Sequence, residues 1–427
     1  MNNTQNNKIA QVTNDTMVIG IDIGSEKHWA RAFDNRGIEL SKKAFSFKNT
    51  AEGFASFEDW YENQRRTAKL ERIMVGLEPT GHYWFNLNQF LAENGVRVVL
   101  VAPQHVKHSK EMDDNTQRKD DQKDPRVIAK LVTEGRYFLP YRPSGVYADL
   151  RDGFNRRCGI VESMTRAKNR LYRWFSINFP EYLHAYGSVT AKTGLMVLKK
   201  APLPKDIVEL GVEGVDKIWR DAKVRGAGKK RAMTLVALAE QSIGEKTANE
   251  AARLELWQLL EDYEHFAHQF EVIEEMLKRK VHELPHADKL LAIPGIGYFT
   301  VMGFFAEVGS IDRFDNPKQI QKLAGLAVVE NSSGKRTGLP GISKRGRDRL
   351  RWVLFQAAMN AVKNNQEFRV IHQYFTTRKD NPLKKMQSLM AVAGKIIRVF
   401  YGMVRSGAAY DPERLLRDIH RPEKGAA

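Results

Sequence analysis

Acidic side chains stand at three places in the first third of the chain where local structure could gather them. Asp22 and Glu78 each end an apolar run that is typical of a buried strand, and Asp121 and Asp124 precede a helix-forming stretch. Four carboxylates at one place would repel one another unless cations lay between them, and Mg²⁺ prefers oxygen ligands of this kind. Two such ions can activate a nucleophile and stabilise a leaving oxygen. The set therefore predicts magnesium-dependent chemistry on a phosphate ester.

The third place admits two interpretations. Pro125 fits the first turn of a helix, because its missing N–H is not needed there, and Asp124 can then be a simple N-cap. If the helix instead begins near Asp121, Asp121 and Asp124 lie three residues apart on one face and point in the same direction.

The run that ends at Asp22 also has a rival interpretation. Asp22-Ile23-Gly24-Ser25 is similar to the first phosphate loop of sugar kinases and actin-like ATPases. Those proteins need a second loop of the same kind, and the nearest match, Asp152-Gly153, lies in a charged helical stretch. The sequence also lacks a Walker-type phosphate loop. These observations favour a metal-binding carboxylate.

A serine pair supplies a second candidate centre. Ser332 and Ser333 are followed by glycine and flanked by Lys335, Arg336 and Lys344. A serine hydroxyl is a weak nucleophile unless a base, a metal or nearby positive charge activates it. The surrounding cations would also stabilise a pentacovalent phosphate. By spacing alone, a nucleophile and a hydroxyl that merely contacts phosphate both stay open.

Positive charge is concentrated in the same region. The chain carries a formal net charge of +17, and residues 333–427 contain 20 Lys and Arg against 7 Asp and Glu. A regional imbalance of this size indicates a polyanionic partner, most simply nucleic acid. The cationic candidates for that contact are Lys335, Arg336, Lys344, Arg345, Arg347, Arg349 and Arg351. Gly295 and Gly297, in Pro294-Gly295-Ile296-Gly297 between two helical stretches, are added as a helix–hairpin–helix-like element, for which an ordinary turn between helices is the alternative.

The acids of the N-terminal third need a sheet to position them. The apolar pattern predicts strands at 17–23, 28–33, 38–47, 72–77 and 96–101, with helices at about 51–66, 83–93 and 125–134. Short turns make the first three strands antiparallel, whereas helical crossovers make the first, fourth and fifth parallel. If the first and fourth are neighbours, Asp22 and Glu78 emerge side by side at the edge where open α/β sheets bind ligands.

Helical periodicity dominates from residue 148 onward. A run with steps of three and four residues predicts a coiled coil whose partner is either the helix at 148–175 or a second subunit. That run comprises Leu256, Leu259, Tyr263, Phe266, Phe270, Ile273, Leu277 and Leu284, with Lys280 filling the one missing place between the last two. The Gly-, Lys- and Pro-rich segment 187–244 contains a basic cluster at 223–231, which fits a loop that binds the nucleic-acid backbone and a solvated linker equally well.

Composition excludes several classes of protein. The single cysteine, Cys158, excludes an internal disulfide and fits a reducing cytoplasm. The polar first 16 residues lack the apolar core of a secretory signal. Lys395 and Arg398 interrupt the most apolar segment, 386–404, which predicts an amphipathic helix and no membrane partner.

Taken together, these pieces resemble the DEDD-type transposases of bacterial insertion sequences, whose characterised members are recombinases guided by a bridge RNA. The motifs that carry the resemblance are Gly20-Ile21-Asp22-Ile23-Gly24, Glu78-Pro79-Thr80-Gly81, Lys119 to Asp124, Ile293 to Gly297, Gly325-Leu326 leading to Ser333-Gly334, Lys344-x-Gly346, and the helix that contains Leu350-Arg351. The resemblance implies a RuvC-like domain of ribonuclease H fold at 1–140, a coiled-coil linker at 141–286 with an insertion at about 187–244, and a helical transposase domain at 287–427. It also implies that Asp22, Glu78, Asp121 and Asp124 bind metal and that Ser333 is the nucleophile.

These observations lead to one hypothesis and two alternatives. The hypothesis is an RNA-guided, site-specific DNA recombinase that cleaves and rejoins DNA through Ser333 with Mg²⁺ on the four acids, acting as a dimer or tetramer. One alternative is a metal-dependent nuclease or junction resolvase without a covalent intermediate. The other is a nucleic-acid-binding scaffold without catalysis.

Overall fold

The computed structural model describes residues 5–113, 124–245, 250–333, 336–417 and 419, with the side chains of 111–113 and 330–340 left out. Contacts group the chain into two compact units, Met1–Arg142 and Pro143–Ala427. The linker and the C-terminal domain expected from the sequence both fall in the second unit. Asp121 and Lys335 lie outside the described residues.

The N-terminal unit is an α/β structure built on a mixed sheet. Within the described residues, six strands pair in the order β3-β2-β1-β4-β5-β6. The elements are α1 (Gln5–Ile9), β1 (Thr16–Ile23), β2 (Lys27–Phe33), β3 (Phe45–Lys48), α2 (Ala51–Ala68), β4 (Arg72–Leu77), α3 (Trp84–Glu93), β5 (Arg97–Val101), α4 (Pro103–Asp113), α5 (Asp124–Thr133) and β6 (Tyr137–Phe138). β1 is antiparallel to β2 and parallel to β4, and β4 is parallel to β5. The predicted strand directions are confirmed.

Two differences from the sequence prediction have local causes. The third strand begins at Phe45 instead of residue 38, because 38–44 keeps only an isolated bridge from Phe33 to Glu39. α4 and β6 were not predicted, since α4 is polar on most of its surface and β6 has only two residues. α2 begins as expected at the Thr50 cap, whose side chain accepts a hydrogen bond from the Gly53 amide.

Alternation of side chains along β1 places a core on each face of the sheet. Ile19 and Ile21 pack on one face with Phe57 of α2 and Leu87 of α3. The opposite face packs against α4 and α5 through the buried side chains Val18, Val99, Val106, Ile128 and Val132. Helices therefore cover both faces of the sheet, as its parallel central strands β1, β4 and β5 require.

The C-terminal unit is mainly helical in its described part. Its elements are α6 (Val146–Asn178), α7 (Tyr182–Tyr186), α8 (Lys192–Leu198), α9 (Pro204–Asp221), α10 (Lys229–Glu240), α11 (Glu250–His282), α12 (Ala287–Leu291), α13 (Tyr298–Val308), α14 (Pro317–Leu323), β7 (Val328–Ser333), β8 (Arg336–Ile342), α15 (Asp348–Asn364), α16 (Gln366–Thr377), α17 (Lys385–Ser406) and α18 (Pro412–Leu416). The amphipathic helix predicted at 386–404 is confirmed as α17. None of the described helices is long and apolar enough to cross a membrane.

The run of apolar residues in α11 finds its partner in the same chain. α6 and α11 run antiparallel, since Asp149 near the start of α6 pairs with Lys280 near the end of α11 at 2.9 Å. At the other end, the Trp174 indole donates to the Ala252 carbonyl at 2.9 Å. Gly153 lets the two helices approach, because a Cβ there would lie 2.8 Å from a Leu277 methyl group. The apolar run is thus used within the chain and is no argument for a second subunit.

The predicted insertion is a folded helical lobe. α7, α8, α9 and α10 pack with the adjoining ends of α6 and α11 around a core that includes Trp174, Tyr182, Trp219 and Leu235. The predicted insertion at 187–244 is therefore folded in its described part, and its basic cluster at 223–231 lies on the exposed loop before α10 and on the first turn of that helix.

Candidate active site

Two glycines on neighbouring strands let α5 lie directly on the sheet. Gly20 of β1 pairs with Gly76 of β4. A Cβ on Gly20 would meet the Pro125 carbonyl oxygen at 1.8 Å, and one on Gly76 would meet a Val132 methyl carbon at 2.6 Å. This close backbone approach brings Asp124, the first residue of α5, toward the carboxyl ends of the two strands.

Three of the four predicted acids come together at that edge. The register pairs Ile21 with Leu77, so Asp22 and Glu78 occupy equivalent positions one residue further on. Asp124 is buried, with 6% of its surface exposed. Its position as the first described residue of α5 fits the predicted first-turn place of Pro125.

The pKa of Glu78 depends on the charged groups around it. Burial raises the pKa of Glu78 above its ordinary value. The charges of Asp22 and Asp124 raise the Glu78 pKa as well, whereas the charge of Lys110 lowers it. The three carboxylates and this lysine therefore act on one another as a single charged cluster.

Lys110 is a site residue that sequence analysis missed. It lies on α4, and its ammonium group forms an ion pair with Asp124 Oδ2. No periodicity or motif distinguishes it from the neighbouring basic residues of α4, so no sequence signal could have identified it. The contact supplies positive charge beside a carboxylate that is almost fully buried, as a buried charge requires.

The described carboxylates of the cluster do not by themselves form a metal site. Among the residues that the structure describes, no three His, Cys, Asp or Glu side chains are grouped so that they could hold a metal ion. Asp121, the fourth expected ligand, lies outside those residues. Three interacting carboxylates nevertheless form the oxygen-only donor set that suits a hard divalent cation.

Ser333 is the last residue of β7, the first strand of a β-hairpin. β7 and β8 are antiparallel, and Ser333 pairs with Arg336 as the last pair of the ladder. The strands are joined by Gly334 and Lys335, which fall outside the described residues. The Ser332 and Ser333 side chains are not described, so only their backbone position is known.

Backbone hydrogen bonds join the segments that enter and leave this hairpin. The Ser343 amide donates to the Ala327 carbonyl at 2.9 Å, and the Lys344 amide donates to the Gly325 carbonyl at 3.0 Å. Gly325 has a φ of +68°, a conformation that glycine adopts at little cost. A Cβ on Gly346 would lie 2.4 Å from the Leu323 carbonyl oxygen. Both glycines are therefore required by the tight turns at the hairpin base.

Arg351 links the two sides of that base. Its Nη1 donates to the Ala324 carbonyl at 3.0 Å and to the Lys344 carbonyl at 3.3 Å. Ala324 precedes β7 and Lys344 follows β8, so one guanidinium group holds together the segments that enter and leave the hairpin.

Arg347 takes part in a buried ion-pair network. Glu307 of α13 is 4% exposed. Its Oε2 accepts a hydrogen bond from Arg151 Nη1 at 3.0 Å and lies 3.4 Å from Arg347 Nη1. Arg347 also donates to the Glu307 carbonyl at 2.5 Å. These contacts favour a structural role for Arg347 and Arg351 over the predicted contact with nucleic acid.

Comparison with known proteins identifies the family. A model of the DEDD transposase of IS110 matches residues 19–180, and a model described as transposase of the IS116/IS110/IS902 family matches residues 287–373. The chain belongs to this family of transposases. Its enzymatic class is that of a DNA transposase.

Curated relatives of this transposase extend the match along the chain. It is 27% identical over 409 residues to an uncharacterised 44.8 kDa protein of insertion element IS116 from Streptomyces clavuligerus, covering 93% of the chain and 97% of the relative. An uncharacterised 42 kDa protein of IS900 from Mycobacterium paratuberculosis is 26% identical and covers 69% of the chain and 73% of its own length. The transposase of IS1111A from Coxiella burnetii is 36% identical over 97 residues, covering 22% of the chain and 27% of the relative.

The two glycines of the helix–hairpin–helix-like element in this transposase have different surroundings. α12 and α13 are joined through Pro294 to Gly297, as predicted. Gly295 has a φ of +85°, and a Cβ there would lie 2.7 Å from the Asn360 carbonyl oxygen of α15. A Cβ on Gly297 would meet no atom within 4 Å. Packing within the unit therefore explains Gly295, whereas Gly297 begins α13 at an open position.

The other predicted cations of the transposase are more accessible. Lys344 and Arg345 are exposed, and Arg349 is half-buried with its guanidinium on Asn155 Oδ1. Trp352, on the same helix, is 45% exposed. Lys344 and Arg345 thus keep the geometry of a surface contact, while the side chain of Arg336 is not described.

Proposed function

We propose that this insertion-sequence transposase is a site-specific DNA recombinase that cleaves and rejoins DNA through Ser333. The observation that carries the proposal is the joint placement of Asp22, Glu78 and Asp124 by the β1–β4 register and the glycine contact with α5. An acidic cluster at the carboxyl ends of the parallel strands β1 and β4 suits phosphate chemistry.

Magnesium is the proposed cofactor. Asp22, Glu78 and Asp124 would hold it, with Asp121 as the fourth ligand. When bound, Mg²⁺ neutralises charge on the phosphate and lowers the cost of ionising a hydroxyl. Lys110 already contributes one positive charge to the cluster. On binding of the cation, Lys110 would either give up its ion pair with Asp124 or remain there as a second positive charge.

Ser333 is the proposed nucleophile. Its hydroxyl oxygen forms a bond to phosphorus, the bond from phosphorus to the 3′ oxygen breaks, and the 3′ oxygen takes up a proton to become a free hydroxyl. The DNA is left joined through its 5′ phosphate to the serine. Attack by the 3′ hydroxyl of another strand on this phosphoserine then rejoins DNA without an external energy source. The position at the end of a hairpin with a braced base supports this role, because a nucleophile must be held in a reactive geometry.

A structured RNA is the proposed guide, and the chain is proposed to act as a homo-oligomer in the cytoplasm. The regional excess of cations in residues 333–427 supports binding of nucleic acid in general. The acids lie in the first unit and the serine in the second, which is compatible with a site shared between subunits.

The test is capture of a covalent protein–DNA adduct on a nicked donor-end substrate. We expect an adduct with the wild-type protein and with Ser332→Ala, and none with Ser333→Ala. An adduct that persists in Ser333→Ala and disappears in Ser332→Ala would move the nucleophile to Ser332. Cleavage by Ser333→Ala without any adduct would instead indicate a metal-dependent nuclease or junction resolvase. Recombination that is unchanged in Asp22→Asn and Glu78→Gln would support a scaffold without catalysis.

A further inference from the structure

The helical lobe at residues 182–240 carries a charged recess that the proposed reaction does not use. The lobe lies outside both matched family ranges, which end at residue 180 and resume at residue 287. The recess, called here the α10 recess, has a volume of about 550 Å³ between α7 and the start of α10. Its walls include His184, Gly226, Lys229, Lys230, Arg231 and Thr234.

The helix that carries most of the recess, α10, packs against the core of the lobe. Ala232, Leu235, Val236 and Ala239 bury one face of α10. Lys229 and Lys230 are exposed, so the same helix directs its cations away from the core. Trp219 lies in this core, where it is fully buried and donates its indole hydrogen to the Thr193 carbonyl at 2.9 Å.

The first turn of α10 has the reverse of the usual charge distribution. Helix N-termini favour acidic residues, because the helix dipole places partial positive charge there. α10 instead begins with Lys229, Lys230 and Arg231 and has no acidic residue in its first turn. Lys223 and Arg225 add two exposed cations in the preceding loop. Such an arrangement opposes folding of the free helix, and an external polyanion would relieve it.

One carboxylate partly offsets this charge. Glu213 of α9 lies 2.6 Å from the Lys229 ammonium group, and both side chains are exposed. An exposed ion pair of this kind is weak and is readily exchanged for another anion. Glu213 therefore competes with a ligand for Lys229 without blocking the recess.

Arg231 is held in a defined orientation. Its guanidinium carbon lies 4.9 Å from the centroid of the Tyr186 ring. Tyr186 is itself packed against Tyr182, with ring centroids 4.7 Å apart. A guanidinium group stacked on an aromatic ring keeps its in-plane N–H groups for hydrogen bonds, and these match the oxygens of a phosphate.

We propose that the α10 recess binds the phosphodiester backbone of nucleic acid and gives the transposase a nucleic-acid surface separate from the acids and from Ser333. This proposal rests on the proposed function in one respect only, namely that the partner of the protein is nucleic acid. DNA and RNA share this phosphate chemistry, and the experiment separates them. Of the two interpretations that the sequence left open for the basic cluster at 223–231, this proposal adopts contact with the nucleic-acid backbone.

The test compares two double variants of the full chain. Lys230→Gln/Arg231→Gln removes two cations from the recess. Lys200→Gln/Lys205→Gln is the matched control, because it removes two exposed lysines that do not line the recess. Binding of a labelled DNA duplex and of an RNA hairpin of equal length is measured by fluorescence anisotropy over a range of salt concentrations.

We expect the recess variant to bind about 3- to 10-fold more weakly and to lower the salt slope by up to about 1.8, the value for two phosphate contacts. The control should stay close to wild type. A loss confined to DNA or to RNA identifies the ligand, and a loss for both supports a shared surface. Equal losses in the recess and control variants, or no loss in either arm, would overturn the proposal.

Glu213→Gln is expected to change the affinity for nucleic acid in the opposite direction. Removing the competing carboxylate frees Lys229, so binding should tighten about twofold, an outcome that partial unfolding cannot mimic. Hydrogen exchange at residues 223–234 should slow when nucleic acid is added to the wild-type chain. Displacement of that protection by polyglutamate, with nucleic-acid affinity unchanged in the recess variant, would assign the recess to an acidic protein and refute the proposal. Ser333→Ala should bind as wild type does, so a failure of the serine mechanism remains distinguishable.

Discussion

At the scale of single residues, Lys110 supplies a positive charge to the acidic cluster. Its ammonium group contacts a carboxylate that is almost fully buried, and removing one partner of such a pair leaves an uncompensated charge. The partial exposure of Lys110 reduces that cost. The same position makes Lys110 a substitute for the positive charge that a bound cation would bring.

The first prediction concerns Lys110→Met. In EDTA, we expect this change to destabilise the N-terminal unit by about 1–2 kcal/mol, with faster hydrogen exchange in α5. Mg²⁺ should restore most of the loss, because a cation that binds only the folded state stabilises it. Lys107→Met on the exposed side of α4 is the control and should change neither quantity. A loss that Mg²⁺ leaves unchanged would argue against a cation at Asp124.

The second prediction concerns His28, which is fully buried beside Phe47 and Phe54. Burial lowers the pKa of the His28 imidazole below its ordinary value of 6.5. The unfolded chain therefore takes up the proton first as pH falls, and protonation favours unfolding. The contribution of neutral His28 to the stability of β1 and β2 should be fully present at about pH 7.5 and should decrease below about pH 6.5. Hydrogen exchange measures this dependence, which His28→Phe should reduce; an equal acid loss in His28→Phe would assign it to other groups.

At the scale of elements, the contact of α5 with β1 and β4 decides where Asp124 lies. A side chain on Gly20 cannot be accommodated by rotation of a neighbour, since the obstructing atoms belong to the backbone of α5. The helix must move, and Asp124 moves with it, away from Asp22 and Glu78.

The third prediction is that Gly20→Ala destabilises the N-terminal unit by about 1–3 kcal/mol, as overpacking does, and abolishes DNA cleavage. Thermal unfolding and adduct formation measure the two effects. Gly159→Ala is the matched change, because a Cβ at that helical position meets no atom within 4 Å. It should raise stability slightly and leave cleavage intact. Normal cleavage by Gly20→Ala would show that the position of α5 is not critical.

The hairpin base is the second element that carries a prediction. We expect Arg351→Gln and Arg351→Lys to reduce adduct formation about 10- to 100-fold at saturating DNA, because the hairpin loses its link between Ala324 and Lys344. DNA affinity should change less than about twofold. Arg345→Gln, at an exposed cation, should show the reverse, with weaker binding and an unchanged rate at saturation. Retention of rate by Arg351→Lys would indicate that charge alone matters.

At the scale of the whole molecule, the acids and the serine belong to different compact units. The antiparallel pairing of α6 with α11 uses the apolar run of α11 inside the chain, so assembly would have to use other surfaces.

The fifth prediction follows from a site shared between subunits. Asp22→Asn and Ser333→Ala should each be inactive alone, and mixing them should restore adduct formation. The measure is covalent DNA capture by the mixture, with size-exclusion light scattering to report the number of subunits. A monomer with full activity, or a mixture as inactive as its components, would place the complete site in one chain.

Local pattern determined much of this protein. The apolar runs and the crossover lengths predicted the strand directions, because these depend on short-range sequence and on general topology. They placed Asp22 beside Glu78 on the condition that the first and fourth strands are neighbours, which the strand order of the sheet confirms. Periodicity likewise predicted α11, α15 and α17, and the concentration of cations predicted a polyanionic partner.

Only the tertiary structure decided which charged groups meet. Lys110 reaches Asp124 because Gly20 and Gly76 admit α5 to the sheet, and Arg347 and Arg351 turn inward because Glu307 and the hairpin base lie within reach. The same holds for the partner of α11 and for the lobe at 182–240, whose core joins residues distant in sequence. Such contacts depend on packing between segments far apart in the chain, which residue types and spacing do not specify.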